Sequence, residues 1–289
     1  MYTQRPILDL LALGKLGDET ASLQKHIETV MSNVFVFPER TYKLYKNDNA
    51  FINKNFRDIS GKNERLDFTR RDFLWNQELN SDIYVGLKAV AVIDGQLCVV
   101  DDAQTQEYII VMNTFPEESV LINVLGFQKT LAGFDAFRAG ARLAALREKL
   151  PTLPFDHLNS DTVLQELCED IYNWSLAQKD KYQDGELERY CDFLKRSSAR
   201  NTVREYFRKH LSVSMDIHMG NALFYQEQLM LIDTFSPKES WFIKFECCDV
   251  YRLGTDIRVF MGEEAWELFE NGYYSSSSEE RCPRDVTVF

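Results

Sequence analysis

The change of texture at Thr114-Phe115-Pro116 constrains this chain more than any other feature. Before it, short apolar runs are bounded by turn formers. Val34-Phe35-Val36-Phe37, the turn Pro38-Glu39-Arg40 and Thr41-Tyr42-Lys43-Leu44-Tyr45 read as two strands joined by a short turn. A polar loop is predicted from Asn47 to Lys62. Leu66 to Leu79 then repeats Phe68, Phe73, Leu74 and Leu79 at helical spacing. Further strands are predicted over Ile83–Ile93, Gln96–Val100 and Tyr108–Met112. After Pro116 the pattern turns almost wholly helical, over Leu121 to Leu125, Leu131 to Leu150, Val163 to Ala177 and Leu187 to His210. Pro151 and Pro154 separate the second of these runs from the third. A β-rich region joined by one crossing to a helical region predicts an α+β chain of two lobes. Two such lobes would leave a cleft, a common place for a ligand; one mixed α+β domain without a cleft is the alternative. The expected boundaries are 1–115 for the β-rich N-lobe, 116–273 for the helical C-lobe and 274–289 for a flexible tail that includes Ser275-Ser276-Ser277-Ser278.

Charge and composition narrow the classes of partner. The chain has 289 residues, with 33 Lys+Arg against 45 Asp+Glu and a net charge of −12. An acidic chain without a basic block excludes duplex nucleic acid as an expected partner, because phosphate neutralisation supplies most of that affinity. No stretch approaches the roughly 20 apolar residues that span a bilayer, so no membrane partner is expected. Met1 to Gly17 carries Asp9 within its apolar run and lacks a basic start, so it does not read as a signal peptide. The cysteines Cys98, Cys168, Cys191, Cys247, Cys248 and Cys282 show no C-x-x-C spacing, which points to reduced thiols and a cytoplasmic location.

Chemistry is concentrated in Ser214-Met215-Asp216-Ile217-His218-Met219-Gly220-Asn221 and the apolar run Leu229-Met230-Leu231-Ile232-Asp233. Asp216 and Asn221 have the D-x-x-x-x-N spacing of a kinase catalytic loop. Asp233 follows twelve residues after Asn221, with Gln226-Glu227-Gln228 as the turn of a hairpin between them. Phosphoryl transfer needs such a set: hard oxygens for magnesium, and a separate carboxylate that orients the acceptor hydroxyl and takes its proton. Asp216 is the candidate catalytic residue, Asn221 and Asp233 the candidate metal ligands, and His218 a residue that orients the loop. The bland alternative is a solvated Asp and Asn in a turn, with Asp233 capping a strand. Upstream, Lys43 is an unexpected charge within a strand and a candidate for the α/β-phosphates, held by Glu78 from the next helix. A solvent-facing edge position is the alternative for Lys43, and Lys46 is the competing lysine.

On these residues the chain resembles the aminoglycoside phosphotransferase-like kinases, closest to the bacterial branch often fused to a P-loop ATPase domain. The likeness is carried by His26-Ile27-Glu28-Thr29 through Tyr42-Lys43-Leu44, by Arg70-Arg71 through Glu78 to Gly86 and on to Glu118, and by Asp216 to Asn221 with Ile232-Asp233 and Asp249 to Asp256. It implies a bilobal protein-kinase-like fold, ATP and Mg as cofactors, and a hinge near Ile110-Val111-Met112, with Val111 and Met112 contacting the nucleotide. It carries over Lys43 and Glu78 as the ion pair of the nucleotide-binding lobe, Asp216 as the catalytic Asp and Asp249 as a buttress of its loop. The family writes His-Gly where this chain has Ser214-Met215, no glycine lies in the turn Pro38-Glu39-Arg40, and Asp233-Thr234-Phe235 stands for D-F-G. No Walker A sequence is present, so the fused ATPase half is missing.

The expected function is therefore an ATP- and Mg-dependent phosphotransferase acting on a hydroxyl of a small molecule or a protein. A protein Ser/Thr kinase of phage or bacterial type and a nucleotide-binding pseudokinase that acts through partners are the alternatives.

Overall fold

The computed structural model describes residues 3–16, 19–20, 22–123, 134–155, 158–177, 179–181, 183, 185–284 and 286–287. Its backbone forms two compact units, one of Met1–Glu117 with Leu231–Pro237, the other of Glu118–Met230 with Lys238–Phe289. The first unit is β-rich and the second is mainly helical, the α+β division read from the sequence.

The first unit runs α1 (Arg5–Ala12), β1 (Lys15–Leu16), β2 (Glu19–Thr20), β3 (Lys25–Glu28), β4 (Ser32–Val36), β5 (Arg40–Tyr45), α2 (Ala50–Asn55), α3 (Lys62–Leu79), β6 (Tyr84–Ile93), β7 (Gln96–Val99) and β8 (Glu107–Asn113). Strands β3 to β8 make one sheet in the order β3-β4-β5-β8-β6-β7, antiparallel at every pairing. Strand alternation gives this sheet two different faces. On one, Tyr42 and Leu44 of β5 and Ile109 and Val111 of β8 join Ile7 and Leu11 of α1 in an apolar cluster. The other face carries Lys43 and Tyr45 and is covered by α3.

Helix α3 meets the sheet with an unusually polar stripe. Arg65, Thr69, Asp72 and Asn76, spaced i, i+4, i+7 and i+11, are each at most 1% exposed. Apolar burial alone cannot hold such a face, and buried charges need partners. Arg65 finds them in the Glu107 carboxylate of β8 and the carbonyls of Ile59, Ser60 and Gly61.

The second unit contains α4 (Ala136–Arg147), α5 (Ser160–Ala177), α6 (Glu186–Ser198), α7 (Asn201–Lys209), β9 (Leu211–Val213), β10 (Ala222–Tyr225), β11 (Gln228–Leu231), β12 (Ile243–Phe245), α8 (Cys248–Met261) and α9 (Glu263–Ser276). Strand β9 pairs with β12, and β10 with β11, whose last residue, Leu231, belongs to the first unit. Gln226 and Glu227 both have positive φ, so the β10–β11 connection is a two-residue hairpin turn. Helices α4 and α9 touch backbone to backbone. A Cβ on Gly140 would lie 1.9 Å from the Phe269 carbonyl oxygen, and one on Gly272 would lie 1.9 Å from that of Phe137.

Three sequence expectations change. The polar stretch from Asn47 to Lys62 contains α2, because Asn49 Oδ1 accepts from the Phe51 and Ile52 amides and caps a helix start. The run from Leu187 to His210 is two helices, α6 and α7. The described residues of the expected tail, 274–284 and 286–287, make ordered contacts. They begin within α9, bury Cys282 and Val286, and use Glu279 to accept from Arg147 and Tyr273. Parts of the runs from Leu121 and Leu131 lie outside the described residues. Among the described residues, no helix is long and apolar enough to cross a membrane.

The glycine crossing is directly testable. Gly140→Ala and Gly272→Ala should each cost about 3 kcal/mol, as overpacked cores do. The double variant should cost less than the sum, since the first methyl already parts the helices. Urea unfolding of the three variants measures both effects.

Candidate functional site

In the first unit the site is built around Lys43. The central strand β5 buries this residue to 3% exposure. Its Nζ lies 2.5 Å from Asp233 Oδ1, 3.6 Å from Asp72 Oδ2 and 4.6 Å from the centre of the Tyr45 ring. Burial works against the ammonium, but Asp233 and Asp72 outweigh it and hold Lys43 above the usual lysine value. For Asp72 the balance differs. Burial, opposed by Lys43 and reinforced by the Asp233 charge, pushes its carboxyl up to about 6. Tyr45 OH and Asn76 Nδ2 donate to the two Asp72 oxygens, at 2.9 and 2.8 Å.

Asp233 comes from 190 residues further along the chain, within the segment that returns to the first unit. The polar side chains of α3 and its C-cap grip that segment. Asn80 Nδ2 donates to the Leu231 carbonyl at 2.8 Å. The Thr234 amide and hydroxyl both donate to Asn76 Oδ1, at 3.0 and 2.9 Å, and Trp75 Nε1 donates to Thr234 Oγ1 at 3.1 Å. From β6, Tyr84 OH accepts the Asp233 amide at 2.9 Å. Asp233 itself has φ of 52°, a left-handed conformation that costs about 1 kcal/mol or more for an ordinary residue. Its side chain stays 41% exposed while reaching Lys43.

The second unit holds the loop from Ser214 to Asn221. Asp249, at the start of α8 and fully buried, accepts from Ser214 Oγ at 2.7 Å and from the Met215 amide at 3.2 Å. It also pairs with Arg147 of α4. Asp256 Oδ2 accepts the Met219 amide, His218 Nδ1 accepts the Gly220 amide, and Asn221 Nδ2 donates to the Asp216 carbonyl at 2.9 Å. The loop is thus tied on both sides of Asp216, whose carboxylate is partly exposed with Arg252 Nη2 3.5 Å away. Asn221 stands directly before β10, and Asp233 two residues beyond β11.

The structure changes one sequence expectation. Asp72, not Glu78, is the α3 carboxylate that meets Lys43, and Glu78 is exposed. Six residues apart means about 600°, so the two side chains point about 120° away from each other. The hinge expected at Ile110-Val111-Met112 lies inside β8. The Val111 side chain belongs to the apolar cluster, Met112 is buried, and both sit in the ladders with β5 and β6. The chain leaves the sheet after Asn113. Lys46 is engaged with Glu28 and the Thr29 carbonyl, which leaves Lys43 as the lysine at the carboxylates.

No family model and no curated protein matches the chain. It is similar to solved structures of phosphotransferases. Spectinomycin phosphotransferase APH(9)-Ia with ADP and spectinomycin shares 15% identity, over 99% of this chain and 83% of that one, with a TM-score of 0.46. The gentamicin complex of APH(2")-IIa shares 12%, over 95% and 82%, at 0.45. Choline kinase from Cryptosporidium parvum Iowa II shares 13%, over 91% and 76%, at 0.49.

The raised Asp72 carboxyl sets a pH dependence. A carboxyl above its ordinary 3.8 in the fold contributes stability that is complete below about pH 4 and lost as pH rises to about 6. Urea unfolding of wild type and Asp72→Asn between pH 4 and 7 should show wild type losing ground to the variant up to about pH 6, then holding level. Parallel curves would contradict the assignment.

Proposed function

We propose that this chain is a phosphotransferase that moves the γ-phosphoryl group of ATP, with magnesium, to a hydroxyl of a small molecule or a protein. The observation that carries the reading is the Lys43 cluster. A purely structural ion cluster has no use for a left-handed, 41% exposed Asp233 twelve residues past Asn221. The likeness to kinase structures points the same way for the fold alone.

In this reading Lys43 meets the α/β-phosphates, oriented by Asp72 in the role first expected of Glu78. Asp233 and Asn221 offer carboxylate and amide oxygens, the hard donors that magnesium takes. When bound, that ion neutralises charge on the phosphates. Asp216 orients the acceptor hydroxyl and takes its proton as the new oxygen–phosphorus bond forms. The bond from the γ-phosphorus to the bridging oxygen breaks, and ADP leaves with the electron pair. Asp249, Asp256 and His218 keep the loop in place so that Asp216 need not reorganise. Six free cysteines suit a reducing, cytoplasmic compartment.

A pseudokinase is favoured by one feature: both the β4–β5 turn and the β3–β4 turn, Thr29-Val30-Met31, lack the glycine that lets backbone approach phosphates. Transfer of label from γ-labelled ATP to small hydroxyl compounds and to a cell lysate separates the two. Asp216→Ala should lower transfer by about 10²–10⁴-fold, while ATP–Mg still raises its melting temperature. In Lys43→Met, ATP–Mg should raise it less. Stabilisation of wild type without transfer to any acceptor makes the chain a pseudokinase, and no stabilisation by ATP–Mg rejects both readings.

A further inference from the structure

One cavity, about 590 Å³ among α5, α6 and α7, is lined by residues such as Leu164, Cys168 and Leu194 and includes none of the proposed catalytic groups. A second cavity in the same unit, about 450 Å³, is lined by Leu167, Asp170, Ile171, Trp241, Lys244 and Arg252. That volume falls within the range of small-molecule sites.

Its charges are unevenly satisfied. Asp170 is already taken, accepting from Lys238 Nζ at 2.6 Å and from Trp241 Nε1 at 2.5 Å. Arg252 reaches only as far as Asp216 Oδ1, at 3.5 Å. Lys244 is held by the β12 ladder opposite Ser212 and is 6% exposed. Among the described residues, Lys244 makes no ion pair and no side-chain hydrogen bond. Burial costs this ammonium and pulls the Lys244 value down, a shift that Arg252 reinforces and that Cys248, Asp249 and Asp216 oppose. An oxyanion in the cavity would remove that cost.

We propose that this cavity is the acceptor subsite, and that it takes a small hydroxyl compound bearing a carboxylate or phosphate, with the anion on Lys244 and Arg252 and the hydroxyl toward Asp216. The proposal rests on the phosphotransferase reading and gives it a substrate class. The acceptor hydroxyl gains the γ-phosphoryl group, its proton passes to Asp216, and ADP departs. A polycationic acceptor would meet two cations here and be disfavoured.

The test is calorimetric titration of wild type, Lys244→Met and Lys244→Gln with glycerol 3-phosphate, glycerate, glycerol and kanamycin, with and without AMP-PNP and magnesium. Wild type should bind the two anions in preference to glycerol and kanamycin, equally well with AMP-PNP present. Both variants should bind the anions at least tenfold more weakly, and unliganded Lys244→Met should melt at or above the wild-type temperature. Unchanged anion binding in the variants, glycerol or kanamycin binding as tightly as the anions, or displacement of the anions by AMP-PNP would each overturn the proposal. Transfer of phosphoryl to neutral acceptors alone would sink this subsite while the phosphotransferase reading stood. Anion binding at Lys244 without turnover of ATP would sink that reading, and the acceptor role with it.

Discussion

A lysine ammonium sealed into the middle of a sheet is tolerable only if carboxylates come to it, and the first unit is organised around that requirement. Lys43 is only 3% exposed, so both of its carboxylate partners must be delivered by the fold. Helix α3 delivers Asp72 from the helix side, and the segment around Asp233 returns from the far end of the chain to deliver the other. Stripping a buried charge of a partner costs about 3–5 kcal/mol, a large part of a typical folding free energy. The same cluster is chemically useful because it is not closed. Asp72 is buried completely, whereas Asp233 keeps much of its carboxylate in the open.

The polar face of α3 follows from this arrangement. An apolar face would tolerate sliding of the helix along the sheet, since burial is non-directional. Hydrogen bonds are not so forgiving. Arg65 to Glu107, Asn76 to Thr234 and Asp72 to Tyr45 hold only in one register, and a slip would leave several buried groups unpaired at about 1–3 kcal/mol each. The helix thus gives up hydrophobic stabilisation in exchange for fixing where Asp72 and Asp233 lie. Asp249 does the equivalent in the second unit, where it locks Ser214 and Met215 ahead of Asp216.

What could be read in advance depended on the range of the signal. Strand alternation placed β4 to β8 closely, and it also singled out Lys43 as a charge on an apolar strand. The spacing of Asp216, Asn221 and Asp233 is local and needed no tertiary knowledge. Position near the end of the helix points to Glu78 as the partner of Lys43. The helical wheel held the better clue: Asp72 and Asn76 lie on the stripe of Phe68 and Leu79, so they face the sheet. The same alternation that buries Tyr42 opposite Val111 shows why Val111 serves the core. Lys244 was out of reach, because β12 has three residues and exists only through its ladder with β9, about 30 residues earlier in the chain.

The net charge of −12 takes on a different meaning in this light. At physiological ionic strength, exposed charges are screened beyond about 8 Å, so the acidic surface acts on a ligand mainly during approach. Inside the cavity the relevant charges are few and close. Asp170 is paired with Lys238 and accepts from Trp241, Asp216 faces Arg252, and Lys244 feels Asp249 and Asp216 but makes no ion pair among the described residues. A polycation drawn in by the acidic surface would therefore arrive at a wall that repels it, whereas an anion is slowed on approach and held on arrival. Selectivity for an anionic acceptor would then reside in the dissociation rate rather than in the encounter, since partners held by buried charges differ chiefly in how slowly they leave.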